Sequence, residues 1–205
     1  MKPFYPLPQE IPLLLEGVQR ALVRPLSQQP HGRINQVLQN GKRKDIYLLV
    51  DADNWDNNVC ESTPFDQAGT ILWCRETFSG YKQIGGRYVR EKLHFKATEP
   101  DLPVSRWLLP VMMPIYVSRL WLEVLEIKVC RLMDLTHEEM YESGVRIADS
   151  YSRGMATDEG SVEAFNCGDG IRRVFYEIYD ERFGKREISN PWIWYAAIKK
   201  VDAPS

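Results

Sequence analysis

The sequence predicts an α+β fold, with short helices set around a small mixed sheet that bends toward a barrel. Three observations predict it. Strand-like runs alternate with short helical patterns instead of following the regular βαβ spacing of a doubly wound sheet. The longest strand, Leu120 to Val129, changes the phase of its alternation midway: Leu120, Leu122 and Val124 share one face, whereas Leu125, Ile127 and Val129 share the other. A β-bulge that re-aims the apolar side explains such a change, and small sheets close by bends of this kind. Near the end of the chain, Trp192 and Trp194 stand at alternate positions and point to the same side of a strand.

The elements follow in order. Ile11, Leu14, Leu15 and Val18 have the i, i+3, i+4, i+7 spacing of a short helix with one apolar face, bracketed by Gly17 and Pro25. Ala21 to Val23 opens a strand. Residues 27–45 are polar and aperiodic and predict a long loop. Ile46 to Val50 is a short apolar strand that runs into Asp51-Ala52-Asp53-Asn54-Trp55-Asp56-Asn57-Asn58. Alternate carboxylates suggest calcium, but Asp56 stands at the sixth loop position and Ser62 at the twelfth, where the calcium loop needs Gly and Glu, so a surface turn is the expectation.

Thr70 to Thr77 is the next strand, and Tyr81 to Phe95 with Gly85-Gly86 predicts paired strands. Thr136-x-x-Glu139 is a capping box, Leu135 and Met140 are placed for a hydrophobic staple, and Gly144 ends the helix. Residues 150–169 show little periodicity and predict a mobile segment. Ile171, Val174, Phe175 and Ile178 mark the clearest helix, stopped by Gly184. Trp192 to Val201 is the final strand, with Trp107, Trp121 and Trp194 expected in the core.

Composition narrows the function classes. The chain has 205 residues, 44% of them apolar and 26% charged, values usual for a globular protein. A net charge of −2 carries no overall signature of nucleic-acid binding, although 26 Lys and Arg leave room for a local basic face. Cys60, Cys74, Cys130 and Cys167 lack C-x-x-C spacing, so reduced thiols in a cytoplasmic protein are expected. The proline-rich start is unlike a signal peptide, and no uncharged apolar stretch approaches the ~20 residues of a membrane span. His31, His94 and His137 form no metal-ligand pattern with the cysteines.

Three blocks carry a resemblance. They are Leu72-Trp73-Cys74-Arg75-Glu76-Thr77, then Met113-Pro114-Ile115-Tyr116-Val117-Ser118-Arg119-Leu120 leading into Leu122-Glu123-Val124, and last Asn190-Pro191-Trp192-Ile193-Trp194. In that order the chain resembles the phage and prophage branch of the ASCH domains, members of the PUA-like superfamily. The resemblance implies a PUA-like mixed β pseudobarrel with peripheral short helices. It covers 1–205 as a single domain with loop insertions at 27–45 and 146–169.

In similar proteins the segment after the first helix reads G-R-K-T-x-T-R-R. Here it is Gly17-Val18-Gln19-Arg20-Ala21-Leu22-Val23-Arg24, in which Gly17 and Arg24 match. Some small ASCH proteins deacylate acetylated cytidine with the Lys and second Thr of that motif and a Glu after the capped helix. Gln19, Leu22 and Ser143, beside Glu142, stand at those places. An amide cannot act as general base and leucine has no hydroxyl, so that mechanism is not expected here.

The candidate ligand residues are therefore those of a binding cleft: Gln19, Arg24, Trp73, Arg75, Glu76, Ser118 and Arg119. The resemblance implies RNA or a modified nucleotide as ligand, with no cofactor, because guanidinium forks bind phosphate and aromatic rings stack bases. A structural Arg–Glu tie between strand ends is the rival reading of Arg75-Glu76 and Ser118-Arg119. Two rival functions stand beside binding. One is a hydrolase or nuclease using Glu76 or Glu142, and the other is a protein-interaction role in phage development through the segments near residues 30 and 160.

Overall fold

The computed structural model describes residues 1–29, 36–39, 45–49, 59–84, 87–104, 106–146, 169–186 and 188–204. The fold is α+β, with a five-stranded mixed sheet at its centre. β1 (Lys2–Phe4), β2 (Ala21–Pro25), β6 (Ile71–Cys74), β9 (Trp121–Arg131) and β10 (Trp192–Val201) form it in the order β1-β6-β9-β10-β2. β1 runs parallel to β6, and every other pair is antiparallel. β3 (Gln36–Gln39), β4 (Asp45–Leu49) and β5 (Val59–Ser62) make a separate antiparallel sheet, and β7 (Phe78–Ile84) pairs with β8 (Arg87–Phe95). Among the described residues three α-helices occur: α1 (Glu10–Leu15), α2 (His137–Glu142) and α3 (Asp169–Phe183).

The central sheet is covered on both faces, which is why its strands are apolar on both sides. Along β10, Trp194, Ala196 and Ile198 turn to one core with Leu22, Leu72, Leu122, Val124, Phe65 and Leu14 of α1. Ile193 and Tyr195 turn to the other, where Met140 of α2 and Ile171, Val174 and Phe175 of α3 pack. Each fully buried aliphatic or aromatic side chain adds about 1.5–3 kcal/mol relative to exposure.

The phase change in β9 is a bulge. Ala197 pairs with Glu126 but Ile198 pairs with Val124, so Leu125 has no partner on β10. Leu125 turns outward and half of it is exposed, whereas Ile127 and Val129 return to the core that holds Leu122 and Val124. One extra residue thus keeps both halves of the strand packed on the same core.

The strands read around Thr70–Thr77, Leu120–Val129 and Trp192–Val201 all lie in the one central sheet, as β6, β9 and β10. The capping box is present, with Glu139 N donating to Thr136 Oγ1 at 3.2 Å and Thr136 N donating to Glu139 Oε2 at 3.0 Å. Leu135 and Met140 are both buried.

Several expectations are corrected. Val18 does not share the helix face: α1 stops at Leu15, Gly17 takes φ of 73°, and Val18 is exposed. The loop expected over 27–45 contains β3 and the first residue of β4, because pairing with β4 supplies hydrogen bonds that a polar sequence does not announce. The strand read over Thr70–Thr77 ends at Cys74, and Phe78 already belongs to the next hairpin. β1 was hidden by Pro3, Pro6 and Pro8; Pro3, which has no N–H, is tolerated because β1 is an edge strand. Trp121 and Trp194 are buried as expected, but Trp107 is only half-buried. The acidic run 51–58, His31, Gly85-Gly86 and the segment 150–168 lie outside the described residues. Among the described residues no helix is long and apolar enough to cross a membrane.

Candidate functional site

The expected site residues fall into two adjoining groups. β6 ends at Cys74 and β9 begins at Trp121, with Cys74 N donating to Leu120 O at 2.9 Å. Antiparallel pairing therefore sets Arg75 and Glu76 opposite Ser118 and Arg119. Ser118 Oγ lies 2.9 Å from Cys74 O and 3.0 Å from Leu120 O, so it clasps the two strand ends. Arg119 grips Glu76 with its fork, Nε to Oε1 and Nη2 to Oε2, both at 2.8 Å. Its guanidinium also lies 4.0 Å from the centroid of Phe95. Glu76 is buried, so the pair removes a desolvated carboxylate's need for a countercharge.

Arg75 is different. Its guanidinium is layered 4.4 Å from the Trp73 ring and 5.5 Å from the Tyr5 ring. Nη1 donates to Tyr5 OH at 2.6 Å and to Val111 O at 3.3 Å. Among the described residues it has no carboxylate partner.

The second group centres on Glu10, in the first turn of α1 and fully buried. Arg24 Nη1 and Nη2 reach its Oε1 and Oε2 at 2.8 and 2.6 Å, Leu7 N donates to Oε2 at 2.8 Å, and Arg182 Nη1 lies 3.9 Å from Oε1. Burial alone would raise the Glu10 pKa, but the Arg24 hydrogen bonds and charge, with Leu7 N and Arg182, outweigh it and hold the carboxyl below its usual range. Gln19 donates from Nε2 to Ala21 O at 2.9 Å, and its Oε1 is buried without a hydrogen-bond partner.

Phe4 joins the groups. Its carbonyl accepts from Arg75 N at 2.8 Å, and its ring lies 5.5 Å from the Arg24 guanidinium. Cys74 sits between them, its thiol pushed well up by burial and then by Glu76 and Glu10.

A third feature joins Gln19 to residues the sequence did not single out. A cleft of about 390 Å³ is lined by Gly17, Gln19, Arg20, Glu142, Lys199 and Lys200, with Leu125 on one wall. The backbone of Arg20 builds it, since Arg20 N donates to Glu142 O at 2.7 Å and Ile198 N donates to Arg20 O at 2.8 Å. Glu142 Oε2 accepts from Tyr195 OH at 2.8 Å, and its Oε1 lies 3.7 Å from Arg20 Nη2. Burial, then the Glu142 carboxylate, holds the Tyr195 hydroxyl far above the usual phenol range, so it stays a donor. Lys200 Nζ reaches Leu15 O at 2.8 Å. Three cations and one carboxylate leave the lining net positive.

Gly144 closes the neighbouring turn with φ of 92°, and a Cβ there would stand 3.0 Å from Leu13 Cδ1 and 3.2 Å from Gln19 Oε1. Leu22 is sealed in the core, and Ser143 donates its buried hydroxyl to Glu139 O at 2.8 Å.

Arg20 lies in the Gly17–Arg24 stretch, and Lys199-Lys200 stand one residue before the end of the last strand. Paired basic residues at a strand end were the signal that could have found this cleft. A larger depression of about 490 Å³ lies between Pro25–Gln29 and the end of α3, but Arg186 there is committed to Asp180 at 2.7 Å. Among the described residues no group of three His, Cys, Asp or Glu side chains could hold a metal ion. The chain matches no protein-family model, no curated protein and no solved structure. The class defined by the fold is α+β, built on a mixed sheet with few short helices.

Proposed function

We propose that the chain is an ASCH-type protein of the PUA-like superfamily, from the phage and prophage branch, and that it binds RNA or a modified nucleotide without catalysis. The observation that carries this reading is the net-positive cleft of Gln19, Arg20, Lys199 and Lys200 beside Glu142. Cations at the rim neutralise phosphate, and the Glu142 carboxylate suits the N–H donors of a base edge. Arg24 and Arg119 spend their forks on Glu10 and Glu76 and act as struts. A pseudobarrel is supported by the approach of the two edge strands, Arg24 of β2 lying over Phe4 of β1. Absence of catalysis is supported by Leu22 in the core and by Ser143 bonded to its own helix.

The test is titration of labelled single-stranded RNA, single-stranded DNA and free nucleotides at low salt. With three phosphate contacts, the log–log salt slope for a single strand should be about −2 (−0.7 × 3). Lys199→Ala/Lys200→Ala should flatten it, and Arg119→Ala should leave the affinity of the folded protein unchanged. Absence of binding to all three ligand classes would refute the proposal.

A further inference from the structure

The segment between β8 and β9 is apolar on both sides. It anchors itself inward through Met113 and Val117, buried against Phe78 and Phe95, and Leu108 bridges to Phe78. Yet Leu109, Val111, Met112, Ile115 and Tyr116 face outward, with Leu109, Val111 and Tyr116 exposed by 63%, 62% and 68%. Burying these side chains would be favourable, and five of them within eight consecutive residues is more than scattered surface apolarity. Two short 3-10 turns, Pro110–Met112 and Ile115–Val117, hold the segment in place without a helix or strand.

Arg75 borders this patch and is tied to it through Val111 O. Tyr5, itself exposed, and Trp73 both lie against the guanidinium. Nη1 is held by Tyr5 and Val111, Nε is buried without an acceptor, and Nη2 has no acceptor among the described residues. Arg24, Arg119 and Arg186 each have a carboxylate, but Arg75 stands beside exposed apolar residues with its charge unanswered. Arginine, tyrosine and methionine around an apolar centre is the composition enriched at protein interfaces.

We propose that Tyr5, Arg75 and the 109–116 segment dock a segment of another protein that places a carboxylate among apolar side chains. The carboxylate answers the Arg75 guanidinium while the apolar side chains cover Val111, Met112 and Tyr116. A twofold contact with a second copy would bring Arg75 and its symmetry mate to the same interface, setting like charge against like. A lipid surface is recognised by a cluster of cations, and flotation with anionic vesicles separates that occupant from a peptide.

The test is selection of a displayed library of random short peptides on the whole protein, followed by fluorescence anisotropy with the synthesised winners. Winners should share an Asp or Glu flanked by aliphatic or aromatic residues. Arg75→Glu should weaken them by at least about tenfold and shift selection toward Lys and Arg. Val111→Ser and Tyr116→Ser, at exposed positions, should each lower affinity with unchanged near-ultraviolet circular dichroism, which keeps the test valid if Arg75→Glu unfolds. Lys199→Ala/Lys200→Ala should not alter peptide binding, which separates this surface from the nucleotide cleft. Failure to enrich any motif, winners indifferent to Arg75→Glu in a folded variant, self-association lost on Val111→Ser, or flotation with phosphatidylserine vesicles would each overturn the proposal.

Discussion

Replacing Glu10 by Gln keeps the shape of the side chain and removes its charge. The wild-type carboxylate is fully buried and accepts from Arg24 twice, at 2.8 and 2.6 Å, and from Leu7 N at 2.8 Å. In the Gln variant one of the two acceptors becomes an NH₂ that faces donors. Arg24 and Arg182, whose side chains are only 14% and 10% exposed, lose their carboxylate. Breaking a buried pair from one side costs about 3–5 kcal/mol. For a chain of this size about 2–4 °C is lost per kcal/mol, so Tm should fall by about 6–20 °C.

The acid limb gives the second readout. Because the folded-state pKa of Glu10 is depressed, its contribution is present above its ordinary value of 4.5 and is lost as pH falls through the depressed one. The gap between wild type and Glu10→Gln, measured by urea unfolding, should therefore be full near neutrality and shrink in acid. Glu10→Leu/Arg24→Met should recover part of the loss, since replacing both partners is far cheaper than stranding one. A loss below about 1 kcal/mol, or a gap independent of pH, would refute the reasoning.

Arg119→Ala should strand the buried Glu76 carboxylate and cost on the order of 3 kcal/mol by urea unfolding, without a selective nucleotide-binding defect. Val124→Asp should cost several kcal/mol, whereas Leu125→Asp next to it should stay within about 0.5 kcal/mol, because the bulge buries one and exposes the other. Equal effects would place the bulge elsewhere. Gly144→Ala should cost about 1–3 kcal/mol, since its φ of 92° disfavours a side chain and a Cβ would crowd Leu13 and Gln19. Thermal unfolding of that variant and of Gly17→Ala, where nothing lies within 4 Å, separates crowding from backbone strain.

What was legible in the sequence is what local pattern encodes. The bulged strand announced itself because its apolar face is written twice, before and after Leu125, and β10 runs over the expected Trp192–Val201. The capped α2 was legible because its stabilising bonds are made within four residues. β1 and β3 were not, because their hydrogen bonds come from partners distant in sequence or carry no alternation of their own. The same division holds at the site. Arg75, Glu76 and Arg119 were legible as charges at strand ends, and Arg119 and Glu76 form the structural tie that was the rival reading. Glu10 was not singled out, because nothing local shows that a carboxylate in a first turn will be buried under Arg24. Arg20, Lys199 and Lys200 meet only through the pairing of β10 with β2 and β9.

The strand order has a consequence for how the chain is made. β1 and β2 are synthesised before the other strands of the central sheet, yet they occupy its two edges, and among the described residues β2 pairs only with β10. Until residues 192–201 are synthesised, β2 lacks its partner and β9 has only one side paired. Their apolar side chains, Leu22 and Val124 among them, must wait without half of the sheet that buries them. Contacts of such long sequence separation make folding slow and leave strand edges open during synthesis. β2, only five residues long and ending at Pro25, offers a newcomer little edge to join.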